Sequence, residues 1–228
     1  MTAREWLEKA KKEKFAIGAF NVGNLETFKA IVLAASNKKS PIIIETSPGE
    51  TDWLGEDNIV DLAKNYSQDF KIPILVNLDH AGSLAECVLA IEAGFDLIHF
   101  DGSKLPLEEN IKITKEVVEL AHQKGILVEG EIDHIQGSSE VHQGSAESEI
   151  KNIPMTDPQK AAQFVTETGI DILAAFFGNV HGVFEKGGEN LDLDVLKNLA
   201  EKLPDTYFSL HGGSGISEEQ VKEAIQNG

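Results

Sequence analysis

Cysteine is nearly absent from this 228-residue chain, and so is any long hydrophobic run. The single cysteine, Cys87, excludes an internal disulfide, and its place in the apolar stretch 83–91 favours a buried position on a helix. The longest apolar runs, such as residues 170–177, are far too short to cross a bilayer, and the N-terminus lacks the uninterrupted apolar core of a secretion signal. These absences predict a globular cytoplasmic protein.

Positive charge is also scarce, because 20 Lys and Arg residues face 38 Asp and Glu residues and leave a net charge of −18. Nucleic acids and anionic membranes are polyanions, so this charge argues against both as partners. A small phosphorylated substrate stays compatible, since a metal ion, a lysine and the N–H groups of a helix N-terminus can form a local positive site. The composition and length suit one globular domain over residues 1–228.

Short apolar runs alternate with longer amphipathic stretches along the whole chain. This order predicts an α/β fold with a parallel sheet buried on both faces, either doubly wound or closed as a barrel. Gly94, Gly125 and Gly169 are placed to end helices in a left-handed conformation, and Thr156-Asp-Pro and Ser217-Glu-Glu-Gln are typical helix starts. The predicted strands are 16–20, 41–45, 73–78, 96–100, 127–132, 170–177 and 206–210. The predicted helices are 25–37, 59–66, 83–93, 107–124, 157–168, 192–203 and 217–226.

Two features interrupt this regularity. Residues 134–153 are polar and rich in Gly and Ser, which predicts a long mobile loop. The chain also reaches its last residue, Gly228, where an eighth strand would begin. An open barrel of seven strands has two unpaired edges, so we expect that either the chain continues or a partner covers the gap.

Polar side chains of three types cluster at the ends of five predicted strands. They are found in Asp79-His80, Asp101-Gly-Ser103, Glu129-Gly-Glu131, His181-Gly182 and His211-Gly-Gly-Ser214-Gly. Active sites of parallel α/β folds form at the carboxyl ends of the strands. Three histidines from three strand ends can converge on one ion and leave an open position, as catalytic zinc requires, while carboxylates orient the imidazoles or move protons.

The other histidines have simpler interpretations. His99 alternates inside a strand and His122 lies late in a helix, where a cation complements the helix dipole, so both are interpreted as structural. His134 and His142 fall in the predicted loop and are interpreted as solvated residues.

Longer motifs around these residues resemble the class II fructose-bisphosphate and tagatose-bisphosphate aldolases, and the resemblance runs in order over essentially the whole chain. The motifs are Ala19-Phe-Asn-Val-Gly-Asn-Leu-Glu, Asn77-Leu-Asp-His-Ala-Gly-Ser-Leu, Phe100-Asp-Gly-Ser-Lys-Leu-Pro-Leu-Glu-Glu-Asn, Val128-Glu-Gly-Glu-Ile, Gly178-Asn-Val-His-Gly-Val-Phe and Leu210-His-Gly-Gly-Ser-Gly-Ile. The Asp-Gly-Ser segment together with two His-Gly motifs makes the resemblance specific.

The resemblance implies a (β/α)8 TIM barrel truncated after its seventh strand and following helix, and a metal-dependent carbon–carbon lyase of carbohydrate metabolism and glycolysis. It implies that His80, His181 and His211 bind zinc, and that Asp101 and Glu131 support the site or bind a second divalent ion. Asp79 matches the acid/base at the C3–C4 bond, and Glu140 matches the residue that moves the carbon-bound proton. The residues that match substrate-binding positions are Ser47, Gly182, Lys186, Gly212, Gly213 and Ser214. A monovalent cation and a homodimer or homotetramer are further expectations of the family.

The chain departs from the family pattern at three places. Its loop is Gly137-Ser-Ser-Glu-Val-His where the family has Gly-Gly-x-Glu-Asp, and Glu185 occupies one of the family's alternative lysine positions. The family's eighth strand, which carries further phosphate contacts, has no counterpart within these residues.

Three alternatives to a fructose-bisphosphate aldolase follow from the sequence. Tagatose 1,6-bisphosphate differs from the fructose ester only in configuration at C4, and no motif distinguishes the two. A Schiff-base aldolase would use Lys104 or Lys186, but neither lies inside an apolar strand, the setting that lowers a lysine pKa. A catalytically impaired fragment that binds metal or sugar phosphate is the third. Cobalt or iron could replace zinc on three imidazoles.

Overall fold

The computed structural model of the chain describes residues 1–185 and 189–228. These residues form two compact units, the first from Met1–Asp101 and Ile113–Glu129, the second from Gly102–Lys112 and Gly130–Gly228. The single-domain interpretation of residues 1–228 stays a prediction. Across the described ranges, no helix is both long enough and apolar enough to span a bilayer.

All seven predicted strands and all seven predicted helices are present. The strands are β1 (Gly18–Asn21), β2 (Ile42–Thr46), β3 (Ile74–Ala81), β4 (Leu97–Phe100), β5 (Leu127–Glu131), β6 (Gly137–His142), β7 (Ile172–Ala174), β8 (His181–Phe184) and β9 (Tyr207–Ser209). The α-helices are α1 (Ala3–Glu13), α2 (Leu25–Lys38), α3 (Pro48–Leu54), α4 (Glu56–Phe70), α5 (Leu84–Ala93), α6 (Leu107–His122), α7 (Ala146–Ile150), α8 (Pro158–Thr168), α9 (Leu193–Lys202) and α10 (Glu218–Asn227). The structure adds the helices α1, α3 and α7 and the strands β6 and β8 to those predicted.

The first unit is built on a sheet in the order β1-β2-β3-β4-β5, with β5 continuing into the second unit at Gly130. Strands β1 to β4 are parallel, with Gly18 opposite Ile42 and Ile42 opposite Ile74. Consecutive residues of β2, β3 and β4 are buried, because side chains on both faces of a parallel sheet are covered. Parallel alignment brings the carboxyl ends of these strands to one edge.

The second unit continues the order with β5, β7 and β9, and β7 and β9 are parallel. A second small sheet pairs β6 with β8, also in parallel. Predicted helix starts and ends recur here, since Asp157 caps α8 before Pro158 and Gly169 ends that helix in a left-handed conformation. Ser217 likewise caps α10 by accepting a hydrogen bond from the Gln220 N–H.

The prediction that residues 134–153 form a long mobile loop is wrong, because this segment has regular secondary structure. It contains β6 and α7, and its own apolar side chains contribute to a small core around Ile135, Ala174 and Phe176. Ile150 and Ile153 pack against that core. The polar composition of the segment hides these few apolar positions, which are enough to hold it to the rest of the second unit.

Candidate active site

The end of β3 carries an irregularity at the residues that the sequence singles out. The register between β3 and β4 shifts between Leu78 and Ala81, and His80 has a left-handed backbone with φ of 51°. An extra residue in a strand re-aims the side chains beside it, and a non-glycine residue at positive φ inside a strand is uncommon. The bulge lets consecutive residues, Asp79 and His80, face the same group of side chains.

Asp79 is held by a hydrogen bond from β1 and lies beside a histidine of β4. Its Oδ2 accepts a 3.0 Å hydrogen bond from Nδ2 of Asn21 at the end of β1, and its Oδ1 lies 3.5 Å from Nδ1 of His99 on β4. The side chain is 11% exposed, so part of it is accessible to a small molecule. A carboxylate fixed in this way is suited to proton transfer at a bound substrate.

His80 is oriented by Asp101, as the sequence predicts for a supporting carboxylate. Its Nδ1 lies 3.0 Å from Oδ2 of Asp101. Because a carboxylate accepts, Nδ1 carries the proton and the lone pair is on Nε2. Carboxylates orient metal-binding imidazoles in this manner, so the pair of His80 and Asp101 fits a metal site.

His99 is closer to this group than the sequence indicates. It is fully buried, its ring centroid lies 4.5 Å from that of His80, and its Nδ1 accepts a 3.3 Å hydrogen bond from the His80 N–H. His99 thus contacts both Asp79 and His80, and its structural interpretation stays a prediction. The alternation of residues in β4 predicts that the His99 side chain points inward. It does not predict that the bulge in β3 places Asp79 and His80 next to it.

Within the second unit, His181 and His211 face each other. Their ring centroids are 5.6 Å apart with the planes at 78°. Buried Asn179 connects the two segments, since its Nδ2 donates a 3.1 Å hydrogen bond to the His211 carbonyl and its Oδ1 accepts from the Phe177 N–H. The sequence thus predicts correctly that these two His-Gly motifs come together, but not that Asn179 fixes them.

Glycine is required at position 212 by this close approach. Gly212 has φ of 72°, and a Cβ built there would lie 1.9 Å from the carbonyl oxygen of Val180, immediately before His181. The two histidine segments therefore touch through their backbones.

We expect Gly212→Ala to lower the free energy of unfolding by at least about 2 kcal/mol, because alanine is strained at positive φ and its methyl group meets a backbone atom. For a chain of this size that corresponds to roughly 4–8 °C in Tm, measured by thermal unfolding. Gly213→Ala is the matched control, since a Cβ there has no heavy atom of the described residues within 4 Å. Equal Tm values for the two variants would contradict the close approach.

Glu131, at the end of β5, is fully buried and contacts polar groups of the segment that follows it. Its Oε1 accepts a 3.1 Å hydrogen bond from the Ile135 N–H and lies 3.9 Å from Nδ1 of His134. Ser103 Oγ lies 3.4 Å from the same His134 nitrogen. His134 is therefore a member of this polar group and not simply a solvated loop residue.

Glu140 lies on β6, the strand that pairs with the His181 segment. The register places Gly137 opposite His181, and the His181 N–H donates a 2.8 Å hydrogen bond to the Gln136 carbonyl. Gly182, with φ of 102°, allows the strands to approach, since a Cβ there would be 2.7 Å from the Glu140 carbonyl oxygen. This pairing places the backbone of Glu140 beside a predicted substrate-binding glycine.

The remaining predicted substrate-binding residues have different surroundings. Ser47 is the N-cap of α3, where its hydroxyl bonds to the Glu50 side chain, so it already has a structural role. Gly213 and Ser214 form a short 3₁₀ turn that leads to α10. Lys186 lies outside the described residues.

Glu189 is a buried polar residue that the sequence did not indicate. Its side chain is buried, and its Oε2 accepts a 3.0 Å hydrogen bond from the Val180 N–H. Burial raises the pKa of Glu189 to about 7, while the backbone N–H groups of Val180 and Gly215 act in the opposite direction. Glu189 lies in a polar, Gly-rich stretch without a pattern of apolar residues, so the sequence does not indicate that its side chain is buried.

Comparison with known proteins agrees with the motifs. A family model described as "Fructose-bisphosphate aldolase class-II" matches residues 1–228. The fructose-bisphosphate aldolase of Streptococcus pneumoniae serotype 4 is 42% identical over 231 residues, covering 100% of this chain and 76% of the relative. That of Geobacillus stearothermophilus is 36% identical over 231 residues, covering 100% and 78%. Among solved structures, the YdjI aldolase from Escherichia coli K12 aligns with a TM-score of 0.83 at 32% identity, covering 99% of this chain and 77% of that one. These similarities confirm the predicted resemblance and the barrel-type α/β fold class.

Proposed function

Because this chain belongs to the class II fructose-bisphosphate aldolase family, we propose that it splits fructose 1,6-bisphosphate reversibly into dihydroxyacetone phosphate and glyceraldehyde 3-phosphate with a bound zinc ion. The observation that carries the proposal is the group at the end of β3, where Asp79 and His80 stand side by side and Asp101 orients the His80 ring. A proton-transfer group next to an oriented imidazole is what a metal-dependent aldol cleavage needs.

The zinc ligands in this proposal are His80, His181 and His211, in agreement with the family motifs. Three imidazoles with an open fourth position are typical of catalytic zinc. Asp101 supports His80 through the 3.0 Å contact, and Glu131 supports the site or binds a second divalent ion. When bound, zinc supplies a Lewis acid that stabilises the negative charge developing on the ketone oxygen of the substrate.

The proton transfers are assigned to two carboxylates. In cleavage, Asp79 takes the proton from the hydroxyl group at the C3–C4 bond, and in condensation it returns that proton to the same oxygen. Its hydrogen bond from Asn21 holds the carboxylate in one orientation throughout. Glu140 is proposed to move the carbon-bound proton.

Substrate binding is proposed for two glycine-rich segments and the lysine that the family pattern suggests. Gly182, Gly212, Gly213 and Ser214 are proposed to bind the phosphate groups through their backbone N–H groups, a type of donor that binds phosphate well. Lys186 and Ser47 are further proposed contacts. With a net charge of −18, the chain depends on such local donors to bind an anionic sugar phosphate. A homodimer or homotetramer in the cytoplasm stays a prediction.

A direct substrate comparison tests this proposal. We expect the zinc-loaded protein to cleave fructose 1,6-bisphosphate with a higher kcat/KM than tagatose 1,6-bisphosphate, measured by a coupled assay for dihydroxyacetone phosphate. Preference for the tagatose ester would retain the reaction class but change the substrate. Cleavage of neither ester, with zinc bound, would replace the enzyme proposal by a metal-binding or sugar-phosphate-binding one.

A further inference from the structure

We propose that Glu189 is a positioning residue of the metal site, because its carboxylate lies between the backbone before His181 and the glycine turn after His211, where it limits how the two imidazoles can move relative to each other. This inference rests on the proposed function, in which both histidines bind zinc. It concerns a residue that acts through the backbone and not through contact with the substrate.

The two oxygens of Glu189 face two different segments. Oε2 accepts the 3.0 Å hydrogen bond from the N–H of Val180, the residue directly before His181. Oε1 lies beside Gly215, where a Cβ built on the glycine would be only 2.5 Å from it. Gly215 ends the 3₁₀ turn Gly213–Gly215, which begins two residues after His211. The carboxylate therefore lies between the two histidine segments.

The backbone of this residue is held in place by α10. Nε2 of Gln220 donates a 3.1 Å hydrogen bond to the Glu189 carbonyl, and Oε1 of Gln220 accepts a 2.7 Å hydrogen bond from the Leu191 N–H. Gln220 is itself oriented at the helix start by the cap of Ser217. These bonds hold the segment that follows the Glu189 side chain to the start of α10 and add to the stability of the fold.

A carboxylate suits this place better than an apolar or amide side chain. An ionised carboxylate turns an acceptor oxygen toward both the Val180 and the Gly215 N–H groups, whereas an amide offers one acceptor and turns a donor toward the second. Burying a carboxyl group costs free energy, and burial raises the pKa of Glu189 to about 7. An apolar residue would fill the same volume without that cost but could not accept the hydrogen bond of the Val180 N–H.

Glu189→Gln tests the inference through metal affinity. We expect the zinc dissociation constant, measured at about pH 8 by competition with a chromophoric chelator, to rise about tenfold, as for other groups that orient metal-binding histidines. The visible absorption of the Co²⁺-loaded variant should change as well, because it reports the geometry of the ligands. Glu201→Gln is the matched control: the same substitution at an exposed site on α9 should leave both measurements unchanged.

A second variant separates positioning from stability. Gln220→Leu removes the hydrogen bonds of Gln220 but keeps the carboxylate, so it should lower Tm while the zinc dissociation constant stays within about twofold. An equal loss of zinc affinity in Glu189→Gln and Gln220→Leu, or no loss in Glu189→Gln, would overturn the positioning role. So would a wild-type chain that binds no zinc. If the wild type binds zinc but cleaves no ester, the proposed function fails, and the affinity measurements still decide the role of Glu189.

Discussion

Asp79→Ala is expected to lower the rate of fructose 1,6-bisphosphate cleavage by about 100- to 10,000-fold, the range that general acid–base groups contribute. The reason is that Asp79 is the proposed proton acceptor, held by Asn21 at 3.0 Å and next to His80. Zinc should remain bound, because the proposed ligands are three histidines. The rate is measured by steady-state kinetics and the zinc content by atomic absorption on the same samples.

Two further variants make the Asp79 result decisive. Asp79→Asn keeps an oxygen that can accept from Asn21, so a similar loss of rate in this variant isolates the proton transfer from the packing. Asp69→Ala, at an exposed site on α4, is the matched control and should retain the wild-type rate. An Asp79→Ala protein that cleaves as fast as wild type shows that the acid/base assignment is wrong.

The strands that carry the site were predictable because their signal is local. Each buried parallel strand is a short apolar run, such as Ile42–Thr46, and the polar residues that follow it stand out at once. Every predicted strand of the main sheet is present, with ends shifted by a few residues. Since the carboxyl ends of parallel strands share one edge, the prediction that Asp79 and Asp101 meet near His80 needed only their place after the strands.

Long-range polar contacts could not be predicted in the same way. The approach of His99 to Asp79 depends on the bulge at the end of β3, and no residue type specifies a bulge. The burial of Glu189 depends on the N–H group of Val180, nine residues earlier, and on Gly215. A single sequence gives no local signal for such contacts between distant residues, because the partners meet only after the backbone has folded.

The pairing of β6 with β8 was missed for a different reason. Gly137–His142 is polar and has no apolar alternation, so its strand is held by its partner and not by a hydrophobic face. The ring of His142 stacks on Phe184 at 4.7 Å, and the Glu185 N–H donates to the His142 carbonyl. A strand of this kind can be predicted only if its partner strand is known, and the partner, β8, is itself only four residues long.

Removal of the metal is expected to have an effect as large as that of Asp79→Ala. Treatment with EDTA should lower the cleavage rate by at least about 1,000-fold, since a Lewis acid contributes several kcal/mol of transition-state stabilisation and each 1.36 kcal/mol is about tenfold. Addition of zinc should restore the rate, and cobalt should restore part of it, because three imidazoles also bind cobalt. The measurement is the initial cleavage rate before treatment, after dialysis against EDTA and after titration with each metal.

The metal experiment also distinguishes between the two aldolase mechanisms. EDTA already saturated with zinc is the control, since it cannot extract the ion and should leave the rate unchanged. A rate that survives EDTA would exclude the zinc mechanism and return attention to a lysine, which borohydride would then trap covalently with the substrate. Lys104 is exposed, so it lacks the desolvated surroundings that a Schiff-base lysine requires. His80, by contrast, already has its imidazole oriented by Asp101, and loss of activity with the metal is therefore the expected result.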